Sequence, residues 1–116
     1  MSEIVRIDQN TRRSRASVFG DLVFLAGQVA DDKAGDITQQ TREALAKVDD
    51  MLARAGTDKS RLLSVQVWLR TMDDFDAMNA VYDAWVVQGQ TPCRACGKVE
   101  LADPRFLIEV IAIAAR

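Results

Sequence analysis

Apolar residues along this chain recur at two periods, and the switches between them mark out its elements. The chain begins with short runs at the strand period. Glu3 to Ile7 comes first, then RASVF and LVFLAG on either side of Gly20-Asp21. A two-residue Gly-Asp link between apolar runs predicts a tight hairpin, and Gly27 closes its second arm. Beyond the polar stretch DDKAG the period changes. Ile37, Thr41, Ala44, Leu45, Val48, Met51, Leu52 and Ala55 form one stripe of an amphipathic helix. Asp36, with Gln39 three residues on, caps its start, and Gly56 ends it. Leu62 to Arg70 returns to alternation, with Val65, Val67 and Leu69 on one face and Trp68 on the other. Asp73 is the expected cap of a second helix, whose stripe is Phe75, Met78, Tyr82, Trp85 and Val86, with Gly89 as its stop. Two strands complete the chain, Cys93 to Leu101 and Phe106 to Ala115, turning at Asp103-Pro104.

The order is therefore β-β-β-α-β-α-β-β, an α+β fold. Its 116 residues, 1–116, form one domain. Two amphipathic helices can cover only one face of such a sheet. The last strand is nevertheless apolar on both: Phe106, Ile108, Val110 and Ala112 on one side, Leu107, Ile111, Ile113 and Ala115 on the other. No element is left over to cover the second face, so other copies of the same chain are its expected partner.

Composition narrows the chemistry. A net charge of −2 disfavours a general nucleic-acid binder. Arg12, Arg13 and Arg15 form a short basic cluster, read as a solvated edge that resists strand-to-strand aggregation. The N-terminus lacks an apolar targeting core, and no apolar run is long enough to cross a bilayer, which leads us to expect a cytoplasmic protein. Histidine is absent, which removes the commonest general base and any serine–histidine or cysteine–histidine machinery. Cys93 and Cys96 are spaced C-x-x-C, but on a strand residues three apart face opposite ways. Neither a redox pair nor a closed metal site is expected.

Two charged residues stand out on the C-terminal strands. Arg94, just after Thr91-Pro92, reads either as a solvated strand end or as an anion clamp whose fork of donors suits a carboxylate. Glu109 interrupts the face of Leu107, Ile111 and Ile113 in the most apolar stretch of the chain. It is either half of a structural salt bridge or a carboxylate of raised pKa, suited to moving a proton to or from water.

The stretch TPCRACGKVELADPRFLIEVIAIAAR is similar to the C-terminal signature of the RidA (YjgF/YER057c/UK114) family. LAGQV, TREALAKVDDMLARAG, SVQVWL and DDFDAMNAVYDAW agree in the same order, so the resemblance spans almost the whole chain. The DAWVV segment and short N-terminus look closer to a YoaB-like branch than to the best-studied deaminase branch. The resemblance implies a chorismate-mutase-like fold, with three subunits packing their sheets into a central barrel and a ligand cleft at each interface. By resemblance, Arg94 grips a substrate carboxylate, and the backbone at Cys96 lines the pocket near the substrate nitrogen. Glu109, fifteen residues after Arg94, orients or activates water. Asn79 and Gly27 lie near the cleft. Arg13 stands where active members commonly carry a tyrosine, and Ala26 where they carry a serine.

The activity so implied is hydrolysis of 2-imino acids, such as 2-iminobutanoate and 2-iminopropanoate, and of their enamine tautomers, to 2-keto acids and ammonia. No cofactor or metal is called for, since a protonated imine is already electrophilic. The expected partners are a small imino or keto acid and two further copies of the chain, with no nucleic acid or membrane. A non-catalytic keto- or imino-acid binder is the alternative, and an endoribonuclease or translation inhibitor a more distant one.

Overall fold

The computed structural model of the protein describes residues 3–116. Its strands are β1 (Ile4–Ile7), β2 (Ala16–Phe19), β3 (Leu22–Leu25), β4 (Leu62–Leu69), β5 (Cys93–Lys98) and β6 (Ile108–Ala115). Helix α1 (Ile37–Arg54) precedes β4, and α2 (Phe75–Trp85) joins β4 to β5. The element order is the one that hydrophobic period predicts. The strands form one mixed sheet in the order β1-β2-β3-β6-β4-β5, in which only β4 and β5 run parallel. That parallel pair is possible because α2 carries the chain back across the sheet between them.

The local signals act as their chemistry dictates. Asp36 accepts from the Gln39 N–H at the start of α1. At its end Gly56 takes φ +86°, while Gly56 and Thr57 donate to the carbonyls of Ala53 and Leu52, a Schellman closure. Gly20, at φ +58°, opens the β2–β3 hairpin as the first residue of its two-residue turn. The second helix departs from expectation. Thr71, not Asp73, accepts the first N–H, and a 3-10 turn over Met72–Asp74 leads into α2. The helix also stops at Trp85, well before Gly89, because Val86 turns extended and packs into the core.

Register shows which face each strand residue occupies. Val65 and Val67 pair with Ala112 and Val110, and all four are buried under the helices with Leu45, Val48, Met51, Leu52 and Met78. Burying each large apolar side chain there contributes about 1.5–3 kcal/mol. The other face carries Phe19, Leu22, Phe24, Ile111, Ile113 and Trp68, and no element of the chain covers it. Phe19 and Phe24 remain 49% and 43% exposed.

The last two strands are shorter than alternation suggests. Three side-chain donations from Arg70 reach the carbonyls of Leu101, Asp103 and Phe106. Gln40, wholly buried on the stripe of α1, donates to the Gly35 and Arg105 carbonyls and accepts from the Leu107 N–H. Between Val99, whose N–H still reaches the Leu69 carbonyl, and Leu107, whose carbonyl accepts from the Arg70 N–H, the chain is shaped by these two side chains, and β6 begins at Ile108. No helix among the described residues is long and apolar enough to cross a membrane.

Candidate functional site

Arg94 pairs in register with Val65, which places it on the helix-covered face at the outer edge of the sheet. Helix α2 supplies its surroundings. Asn79 and Tyr82, three residues apart and so on one side of the helix, both reach it. Arg94 Nη1 donates to Asn79 Oδ1 at 2.7 Å, and the guanidinium carbon lies 4.7 Å from the centre of the Tyr82 ring. The cation rests on an aromatic face with its plane braced by one hydrogen bond. Among the described residues no carboxylate forms an ion pair with it. Its remaining donors are open on an exposed edge.

Cys96 lies two residues along on the same face and packs against the core, where burial raises its thiol pKa and the Arg94 charge partly offsets the rise. The thiol is therefore neutral at pH 7, and what position 96 offers to the opposite face is backbone. A shallow cavity of about 220 Å³ lies there, bordered by Gln66, Trp68, Ala95, Cys96, Gly97 and Val99. Cys93 pairs with Ser64 and so faces that opposite side, and both cysteines are free. No group of metal-ligating side chains is found among the described residues.

Glu109 pairs with Trp68 on the uncovered face. It is half-buried, and desolvation alone raises its pKa. No described residue of the chain forms an ion pair with it. Its carboxylate lies against Gly27, where an added Cβ would occupy the space of Glu109 Oε2. Gly27 is held at this approach by its neighbour. Gln28 exchanges two backbone hydrogen bonds with Val110, and its buried amide donates to the Ala26 carbonyl and accepts from Arg15.

On the far side of Gly27 opens a cavity of about 450 Å³, bordered by Arg13, Arg15, Ala26, Gly27, Gln28 and Lys47 among others. Arg13 and Arg15 lie in the β1–β2 connection and border this cavity. They do not run along a free strand edge as a guard against aggregation.

The expected site residues therefore form two groups. Arg94, Asn79 and Cys96 meet at β5 and α2, while Glu109, Gly27, Ala26 and Arg13 gather around β6 and the end of β3. The two anchors occupy opposite faces of the sheet. Tyr82 was legible only as a core position, although it is also the platform for Arg94. Gln40 had a signal: it is a polar residue on the apolar stripe of α1.

Residues 3–116 match the model of the family described as endoribonuclease L-PSP. The chain belongs to that family, the one that includes YjgF and RidA. Among its relatives in this family is the RutC family protein YoaB of Escherichia coli, 35% identical over 97% of either chain. A Pseudomonas aeruginosa protein of known crystal structure is 41% identical, with a TM-score of 0.96 over 98% of this chain and 99% of its own. A Neisseria meningitidis member of the YjgF family is 37% identical, with a TM-score of 0.96 over 98% and 95% of the two chains. The α+β fold of this L-PSP family chain is thus that of its relatives.

Proposed function

We propose that the protein hydrolyses small 2-imino acids, or their enamine tautomers, to 2-keto acids and ammonia in clefts between the subunits of a homotrimer. The observation that carries this reading is Arg94, whose guanidinium is braced by Asn79 and Tyr82 yet keeps open donors for a carboxylate. A second copy packed on the apolar uncovered face would bring the Glu109 and Gly27 of one subunit to the Arg94 of the next.

Arg94 holds the substrate carboxylate and so fixes the imine carbon beside Glu109. The Glu109 carboxylate accepts a proton from water as the water oxygen bonds to that carbon, and the C=N pair moves to nitrogen. The proton passes on to the nitrogen to give a carbinolamine; Glu109 then carries the hydroxyl proton to the same nitrogen as the carbonyl forms, the C–N bond breaks and ammonia leaves a 2-keto acid. A carboxyl whose pKa is raised by burial is a better base for this exchange than an exposed glutamate. Backbone groups at position 96 are suited to receive the leaving nitrogen.

Arg13 and Ala26, which replace the tyrosine and serine that the resemblance leads us to expect, favour a second reading, a keto- or imino-acid binder without turnover. The test is hydrolysis of 2-iminopropanoate and 2-iminobutanoate generated in situ, by the wild type and by Arg94→Ala. Acceleration lost in the variant supports the deaminase. Absence of acceleration by the wild type, with keto-acid binding retained, would favour the binder.

A further inference from the structure

The cavity behind Gly27 is larger than a short imino acid requires. Such a substrate has six or seven non-hydrogen atoms and fills at most roughly 200 Å³, even at the ~30 Å³ that a water molecule occupies in the liquid. The cavity measures about 450 Å³ and adjoins the Glu109 carboxylate through Gly27. Room is therefore available on the other side of Gly27 from the candidate base.

The charges around this space are unevenly committed. Lys47 is held by Asp31 at 2.9 Å and by the Val29 carbonyl. Arg54 binds Asp8 through two hydrogen bonds of 2.8 Å. Arg15 donates to Gln28 at 3.3 Å and lies 3.6 Å from the same Asp8. Asp50 also borders the cavity and, among the described residues, forms no ion pair. Arg13 is different. Its only side-chain hydrogen bond among the described residues goes to the Asp8 carbonyl, at 3.2 Å; it forms no ion pair there, although its charge helps to lower the pKa of the Asp8 carboxyl. Asn10 accepts from the Arg12 and Arg13 N–H groups, so the backbone presenting Arg13 is held in place. Arg13 is thus a cation without an ion pair, on a fixed turn, lining a cavity that meets the candidate base only through Gly27.

We infer that this cavity receives a second acidic group of the substrate, so that the preferred substrates are 2-imino dicarboxylates, or the corresponding 2-oxo dicarboxylates, with Arg13 meeting the distal carboxylate. The inference rests on the deaminase reading for its chemistry but on Arg13 and the cavity for its specificity. The α-carboxylate would lie on Arg94 of one subunit and the distal carboxylate at Arg13 of the other, with the imine carbon between them at Glu109. A charge-assisted hydrogen bond from Arg13 corresponds to a preference of about tenfold to a hundredfold.

The experiment compares kcat/KM for 2-iminoglutarate and 2-iminopentanoate, generated in situ, in the wild type, Arg13→Gln and Arg13→Lys. The expected result is a wild-type preference for the dicarboxylate of at least about tenfold, lost in Arg13→Gln and partly kept in Arg13→Lys. Equal rates in the wild type, or a preference that survives Arg13→Gln, would overturn the inference. If neither imine is hydrolysed, it is the deaminase reading that fails. Calorimetric titration with 2-oxoglutarate and 2-oxopentanoate then decides the cavity separately. Tighter binding of 2-oxoglutarate that depends on Arg13 supports it, whereas equal or undetectable binding of the two refutes it.

Discussion

Replacing Gly27 by alanine tests whether the position of Glu109, and not merely its presence, matters. A Cβ at residue 27 would overlap Oε2 of Glu109 and lie 2.7 Å from its Cδ and 3.0 Å from its Cγ. Carbon atoms rest at about 3.5–4.0 Å, so the carboxyl carbon must retreat by roughly 1 Å. The obstacle is the end of a flexible side chain, and the fold can absorb it for about 1 kcal/mol or less, below the usual cost of overpacking a rigid core. Catalysis is less forgiving. A base displaced by roughly 1 Å from its water costs about 100-fold. The expected result is a protein with nearly unchanged urea stability and kcat reduced about 100-fold on whichever imine it accepts. In a Glu109→Ala background the same substitution should do almost nothing, because the overlapping atoms are gone. Full activity in Gly27→Ala, or an equal further loss when it is added to Glu109→Ala, would refute the reasoning.

Titration of Glu109 and substitutions at Gln40 and Phe24 extend these expectations. Glu109 holds its proton more firmly in the folded protein than in the unfolded chain, because burial raises its pKa. Its contribution to stability is therefore present at and below the ordinary glutamate pKa and is lost as pH rises through the folded value; Glu109→Gln should flatten that part of a denaturation–pH profile. The acid limb of kcat/KM should lie above the ordinary glutamate value and vanish in the same variant. Gln40→Ala leaves the Leu107 N–H and the Gly35 and Arg105 carbonyls without their partner; a loss of about 2–4 kcal/mol in urea unfolding is expected. Phe24→Glu, on the uncovered face beside Ile113, should yield smaller particles by sedimentation and lower specific activity on dilution. A monomeric wild type would end the argument for a shared cleft.

Much of this architecture was legible because period and punctuation agree. The stripe from Ile37 to Ala55 lies between Asp36 and Gly56, and helix α1 obeys all three signals. The helix-facing residues Val65, Val67 and Leu69 and the opposite placement of Trp68 follow from alternation alone. What escaped was decided by side chains acting at a distance in sequence. Arg70 and Gln40 hold the 100–106 segment off the ladder through carbonyls about 30 to 65 residues away, and no local pattern announces such contacts. The start of α2 was misread for a local reason. Threonine and aspartate both cap helices, and Thr71 reaches the first free N–H before Asp73 can. Arg94 and Glu109 were visible as candidates, but not their separation, which depends on which strands pair.

That separation follows from parity. Strand β4 pairs with both β5 and β6, aligning Arg94 with Val65 and Glu109 with Trp68. Residues 65 and 68 differ by an odd number along one strand, so their partners must lie on opposite faces of the sheet. No local adjustment brings the two charges together within one chain. Sliding β5 by one residue would turn Arg94 to the other face but would also turn Cys96 away from the core, and sliding β6 would expose Ile108, Val110, Ala112 and Ala114 to solvent. A substrate that needs both a carboxylate clamp and a base can therefore be served only where the β5 edge of one subunit meets the uncovered face of another. On this argument the apolar face that makes the isolated chain a poor monomer is also what completes its site, and loss of assembly and loss of turnover should occur together.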